Sequence, residues 1–408
     1  MIHSRDIALR LRIAAYVAVL AGYLFYCYNF VLLDYVRPYL IKDGGFSIQQ
    51  TAMFTVGQNI GITLGAICWA NVIARYGRRN SVAVIAGTIG ILAMAQAAAH
   101  SFPAFLGLRG LMSAALAGYY VVATGIVVAL FPPAMRGKLV ALNSAMFPCS
   151  NILIGLAGGA LGDSRWHLLM WLGAVPLLIA PVLFVLVPDD RRFEAYDEHG
   201  DATHAGGWRE MLSPQWRRVT IGCVALSGLD FDAYGLFVGF LTVYLKQSHG
   251  LTAEEMGHTV ALISSGSLVG GFCWAALTDR FGRKCALVGY LIAAGAILVF
   301  LYGGLNLLGL RIAGVVYGVG LSCTYAWGAW FAEMFPPHLR PHGAALFHAG
   351  NMFALGAPVV AAYLTQRIGL VTSMSISAGV YCAGALLWSR MPETVGSRAR
   401  AQTQGAVR

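Results

Sequence analysis

The chain has 408 residues, 58% of them hydrophobic and only 11% charged, whereas soluble domains carry about 25% charged residues. With a mean hydropathy of +0.67 it holds more apolar surface than a soluble core needs, which excludes an ordinary water-soluble protein. The net charge of +10 is no nucleic-acid footprint, because the basic residues fall in short clusters between apolar runs rather than in one patch.

Twelve apolar runs follow one another, near 13–35, 50–73, 81–100, 104–130, 139–162, 168–187, 219–245, 256–278, 285–304, 308–334, 343–366 and 370–391. A bilayer span takes about 20 apolar residues. The expected fold class is therefore an all-α integral membrane protein with twelve transmembrane helices. The first run is too long for a cleaved signal peptide. Many runs are rich in Gly and Ala, which lets helices approach closely in lipid. With the N-terminus inside, 21 of the 28 Lys and Arg residues fall on cytoplasmic segments, among them Arg5, Arg191, Arg192, Arg398, Arg400 and Arg408. That bias puts both termini in the cytoplasm. The longest polar stretch, 188–217, reads as a linker between an N-terminal bundle at 1–187 and a C-terminal bundle at 218–391, with a tail at 392–408.

The polar residues inside these runs are the candidate functional groups, since an ionisable side chain in the bilayer is costly. In chain order, the first run holds Tyr26, Tyr28 and Asn29, with Asp34 and Arg37 one turn apart and spaced to pair locally. The fourth holds Arg109, Tyr119 and Tyr120, and the fifth Asn143 and Asn151. The seventh holds Asp230 and Asp232, which point about 200° apart on a helix, so at most one squarely faces a central cavity. Each is a candidate proton carrier or, alternatively, a carboxylate paired to an Arg for structure. The tenth holds Arg311, Tyr325, Trp327, Trp330 and Glu333; the eleventh holds His348 and Asn351. His348 suits a proton relay by its ordinary pKa near 6.5, or else an interior hydrogen bond. The aromatic and Asn residues together suit a small polar or aromatic solute. The eight cysteines show no CxxC pair and no His at metal spacing, and neither HExxH, GxSxG nor a phosphate loop occurs. No cofactor, metal or catalytic site is expected.

The chain also repeats itself. CWANVIARYGRRN (68–80) matches CWAALTDRFGRKC (273–285), LFPPAMRG (130–137) matches MFPPHLRP (334–341), and Arg109 in LRGLMSAALAG matches Arg311 in LRIAGVVYGVG at an offset of 202. Two parallel pseudo-symmetric six-helix halves follow. Helix 7 then pairs with helix 1, which sets Asp230 and Asp232 opposite Tyr26 and Tyr28.

RYGRR (75–79) and DRFGRK (279–284), each following the second helix of a half or its repeat, resemble the signature cytoplasmic loop of the major facilitator superfamily, and the resemblance covers the whole chain. Ala74 stands where that family usually has Asp, while the second copy keeps Asp279. AEMFPPHLR (332–340), FPPAMRG (131–137) and MPETVG (391–396) look like its metabolite:proton symporters, which include sugar, aromatic-acid and sialate- or lactate-type carboxylate carriers. The resemblance implies a monomeric inner-membrane carrier of a small molecule together with protons, most simply an importer of an organic anion. An exporter of drugs or metabolites by proton antiport is the alternative. It further implies a proton-coupling or gating role for Arg109, with Arg311 by repeat; since both lie near the outer ends of their helices, snorkelling or capping of the helix ends is the alternative for each. It also implies a cytoplasmic gate of Arg75, Gly77, Arg78, Arg79, Asp279, Arg280, Gly282, Arg283 and Glu333, clustered between the halves.

Overall fold

The computed structural model describes residues 2–3, 7–189, 193–194 and 207–394. Arg5, Arg191, Arg192, Arg398, Arg400 and Arg408, most of the linker, and the tail beyond Thr394 lie outside the described residues. The helices are α1 (Leu9–Lys42), α2 (Ile48–Tyr76), α3 (Arg78–Ala97), α4 (Phe102–Leu130), α5 (Pro133–Leu161), α6 (His167–Leu172) and α7 (Pro176–Leu186), then a short α8 (Gly207–Met211). There follow α9 (Arg217–Gln247), α10 (Ala253–Phe281), α11 (Leu287–Tyr302), α12 (Leu307–Leu321), α13 (Trp327–Glu333), α14 (Arg340–Ala349), α15 (Ala357–Ile368) and α16 (Leu370–Arg390). The only described strands are β1 (Ile2–His3) and β2 (Phe193–Glu194), which pair in parallel.

Ten helical stretches among the described residues are long and apolar enough to cross a membrane. Several expected runs are interrupted. The sixth breaks into α6 and α7 before Pro176, the tenth passes through a 3-10 turn at Ser322–Ala326, and the eleventh through one at Gly350–Leu355. A proline has no backbone N–H to donate and its ring crowds the preceding turn, which accounts for the first break.

The chain forms two compact units, Met1–Asp201 with Leu245–Ala261, and Ala202–Tyr244 with Leu262–Arg408. The end of α9 and the start of α10 belong to the first unit for a physical reason. Gly155 and Gly257 each lie so close to the other's helix that a side chain on either would strike the facing carbonyl. Lys246 also pairs with Asp163, which follows α5. The first unit's core gathers Val19, Ile85, Leu116, Val122 and Leu183 with the aromatic rings of Tyr16, Tyr23 and Tyr119, on α1, α3, α4 and α7.

The internal repeat is visible in local geometry, and it fixes a register of 205. Ser47 and Gln50 form a capping box at the start of α2; Thr252 and Glu255 form its equal at α10. Trp69 Nε1 donates to the Ala114 carbonyl at 3.0 Å, and Trp274 Nε1 to that of Val319 at 2.7 Å. Gly77 and Gly282 both turn the chain at φ +82° and +99°, a conformation open to Gly at no steric cost. This register corrects one expectation: the counterpart of Arg109 is Gly314, not Arg311, whose own counterpart is Leu106. The arginine match at 202 departs from the register that the helix contacts follow, in which Gly61 faces the Gly110 carbonyl between α2 and α4 and Gly266 faces the Val315 carbonyl between α10 and α12.

Candidate functional site

In the first unit, Arg109 lies in the middle of a polar layer. It is 2% exposed. Its Nε donates to Gln58 Oε1 at 3.0 Å, its two terminal nitrogens reach the backbone carbonyls of Asn29 (2.9 Å) and Phe30 (3.0 Å), and one of them also bonds Gln58. The guanidinium thus ties α4 to α1 and α2. Beside it, Arg37 pairs with Asp34 at 2.8 Å, as their spacing suggested, and donates to Thr55 at 3.0 Å.

The tyrosines of α1 and α4 divide in two. Tyr28 is buried and donates to the Leu169 carbonyl at 2.7 Å; Asn29 is buried and donates to the carbonyls of Phe25 and Gly173. Tyr119 is buried against α1 through Val19, and Asn143 receives the Tyr16 hydroxyl at 3.1 Å. These four hold helices together. Tyr26, Tyr120 and Asn151 are only half-buried, with Phe30 and Phe147 beside them. Tyr26 stacks on Tyr119 at 6.4 Å between ring centroids, and Phe30 meets Phe147 edge-on at 6.2 Å. The result is a partly open aromatic face with amide groups at its margin.

In the second unit, Asp230 is buried and accepts a hydrogen bond from the Tyr290 hydroxyl at 2.9 Å. Asp232, two residues on, is half-buried, and its Oδ1 has no hydrogen-bond partner among the described residues. Trp327 and Trp330 are fully buried; Trp330 stacks on Trp388 at 5.2 Å and donates to the Pro392 carbonyl. Tyr325 is 38% exposed, and Asn351 is buried. Arg311 lies one turn into α12, half-buried. The side chain of His348 lies outside the described residues.

Arg283 is the centre of a loop network in the same unit. It bonds Asp279 at 2.6 Å, Thr278 at 3.2 Å and Glu333 through two nitrogens at 3.2 and 3.0 Å. Glu333 also accepts from Thr394, and Glu393 caps the backbone N–H groups of Arg283 and Lys284 at 2.9 and 2.8 Å. Glu393 and Thr394 belong to the MPETVG stretch, whose Val395 and Gly396 lie outside the described residues. In the first unit Arg79 pairs instead with Asp189 at 3.1 Å, Arg75 lies over the neighbouring Tyr76 ring, and Arg78 approaches Gly125. Arg280 lies over Phe281. Of the nine gate residues, the structure brings together Asp279, Arg283 and Glu333, with Gly282 as the turn that places Arg283.

Sequence reasoning missed Gln58, Tyr290, Glu393 and the set Tyr39, Asp163 and Lys246. Each is a polar residue whose importance comes only from the partner it meets across 50 residues or more. Among the described residues no three His, Cys, Asp or Glu side chains are placed to hold a metal ion.

Comparison with known proteins follows the same lines. A niacin transporter from Acinetobacter baylyi is 24% identical over 381 residues, covering 84% of this chain and 85% of its own. A cis,cis-muconate transport protein from the same organism is 25% identical over 381 residues, covering 88% and 87%. The crystal structure of a D-xylose-proton symporter shares the fold, with a TM-score of 0.74 at 17% identity over 94% of this chain and 99% of that one. The model of the Major Facilitator Superfamily matches residues 19–325 and 223–407. With that match across nearly all of its helices, the chain is a membrane transporter belonging to the major facilitator superfamily.

Proposed function

We propose that this transporter is a proton-coupled symporter that takes up a small organic anion or related metabolite by alternating access. It spans the inner membrane twelve times as two six-helix halves, 1–187 and 218–391, with the linker 188–217 and both termini in the cytoplasm, and it works as a monomer. The observation that carries the reading is the aspartate pair of α9. Asp230 and Asp232 lie 13 and 15 residues into a 31-residue apolar helix, and neither has a basic partner among the described residues. A bare carboxylate in that position is costly, and taking up a proton removes the cost. Asp232, with an unpartnered oxygen and partial exposure, carries the coupling proton; Asp230, His348, Arg109 and Arg311 stand behind it.

Supporting the substrate class, the relatives are named for niacin and for cis,cis-muconate, both carboxylic acids. The half-buried face of Tyr26, Tyr120 and Asn151 supplies flat aromatic surface for such a solute, backed by Tyr28, Asn29, Tyr119 and Asn143. In the second unit Tyr325, Trp327, Trp330 and Asn351 are the proposed substrate residues, Tyr325 being the exposed one and the two tryptophans lying buried in the packing. The Arg283 network, with Gly282 and Arg280 beside it, is the proposed cytoplasmic gate of the second unit, and Arg75, Gly77, Arg78 and Arg79 form the proposed gate loop of the first.

Purified protein in proteoliposomes under an imposed pH gradient tests the reading. Aromatic and aliphatic carboxylates are expected to accumulate inside when the exterior is acidic, and sugars are not. Loss of preloaded substrate from the interior under the same gradient would replace uptake with efflux, and movement indifferent to the gradient would end proton coupling.

A further inference from the structure

Helices α1 to α7 contain a single carboxylate, Asp34. Two buried guanidiniums share its neighbourhood. Asp34 is engaged by Arg37, whereas every hydrogen-bond partner of Arg109 is neutral: the Gln58 amide oxygen, two backbone carbonyls and the Met112 sulfur at 3.7 Å. Hydrogen bonds satisfy the donors of a buried cation but do not cancel its charge, and an uncancelled buried charge is costly. The register of 205 shows that this arrangement belongs to one half alone. Gly314 stands in place of Arg109 and Ile263 in place of Gln58. There the Ile263 side chain fills the space, 2.6 Å from where a Cβ on Gly314 would sit. The second unit carries the opposite sign mid-helix, in Asp230 and Asp232.

We propose that Arg109 sets the charge selectivity of the carrier. The substrate carboxylate is its missing counter-ion, seated on the half-buried face beside Phe30 and Tyr26. Arg109 is not a direct ligand, because its five N–H donors are already engaged. It acts through its field, and through the Asn29 and Phe30 carbonyls by which it holds that stretch of α1. The inference rests on the organic-anion reading and names the residue that makes the site prefer an anion. Over several ångströms of protein interior such a field favours an anion over its neutral isostere on the order of tenfold to a hundredfold.

The test is the ratio of affinities for an acid and its amide, nicotinate against nicotinamide and benzoate against benzamide, on the purified full chain. Wild type is expected to prefer the acids, and Arg109→Lys to keep that preference while binding both forms less well. Gln58→Glu supplies the counter-charge within the protein and keeps the bond to Arg109, so the fold is retained and the ratio is expected to fall towards one. Arg109→Gln should do the same if it folds, and Gln58→Glu decides the matter if it does not. A Gln58→Glu protein that still prefers the acids as strongly as wild type overturns this inference and leaves the anion reading standing. A wild type indifferent between acid and amide overturns both.

Discussion

Asp230 and Asp232 share a helix and a residue type, yet their surroundings assign them different work. Asp230 is enclosed and bonded to Tyr290, whereas Asp232 keeps one oxygen without a partner at a half-buried position. Asparagine reproduces the shape of a protonated aspartate. Asp232→Asn is therefore expected to abolish accumulation under a pH gradient while substrate exchange continues at near wild-type rate; undiminished accumulation would remove Asp232 from coupling and leave His348 next. Asp230→Asn keeps an acceptor for Tyr290 and should cost little stability. Tyr290→Phe strips a buried carboxylate of its one hydrogen bond and should cost about 1–3 kcal/mol, read from the melting temperature in detergent. The sequence marks both aspartates plainly, because a charge in an apolar run stands out. It does not mark Tyr290, one of eighteen tyrosines, since only the packing of α11 against α9 makes that hydroxyl matter.

At the scale of elements, helices pair through small residues, and this was partly legible. The Gly and Ala content of the runs announces close approach, and the capping pairs Ser47/Gln50 and Thr252/Glu255 announce where α2 and α10 start. Which glycine meets which carbonyl is not announced, and that gap let the arginines suggest the wrong register. A Cβ on Gly65 would lie 2.3 Å from the Ala114 carbonyl oxygen on α4, while a Cβ on Gly379 in α16 would meet nothing within 4 Å. A backbone carbonyl cannot step aside as a side-chain tip can. Gly65→Val is thus expected to separate α2 from α4 and cost about 3 kcal/mol or more, whereas Gly379→Ala should be neutral or gain up to about 1 kcal/mol of helix propensity. Thermal melts of the two variants in detergent compare them directly, and equal effects would refute the close-packing account. The same limit applies to the loop network. RYGRR and DRFGRK look alike in sequence, but Asp279 and Glu333 give Arg283 partners on its own unit, while Arg79 finds Asp189.

For the whole molecule, apolar periodicity and the spacing of turns carry the architecture. Long-range polar ties decide how the ends of its helices are held, and these are invisible to any window of sequence. Asp163 shows the point. It follows α5, and it joins Tyr39 at the end of α1 (2.9 Å) and Lys246 at the end of α9, with the Lys246 ammonium 5.2 Å from the Tyr39 ring. Partial burial alone would raise the Asp163 carboxyl. The hydrogen bonds from Lys246 and Tyr39 outweigh it and hold the group below its usual range. A carboxylate depressed in the folded state contributes stability above its unfolded pKa, near 3.9, and loses it as pH falls through the lower folded value. The carboxylate is half-exposed, at 52%, so solvent screening keeps the contribution of the pair to about 0–1 kcal/mol. The melting-temperature gap between wild type and Asp163→Asn should accordingly be small and level from pH 8 to about pH 5, and close only below about pH 4. Lys246→Met should show a gap of similar size at neutral pH, and raised salt should shrink both. A gap that closes instead near pH 6 would mean that a histidine governs this end of the helices, and Asp163 would lose its place as the tie between α1, α5 and α9.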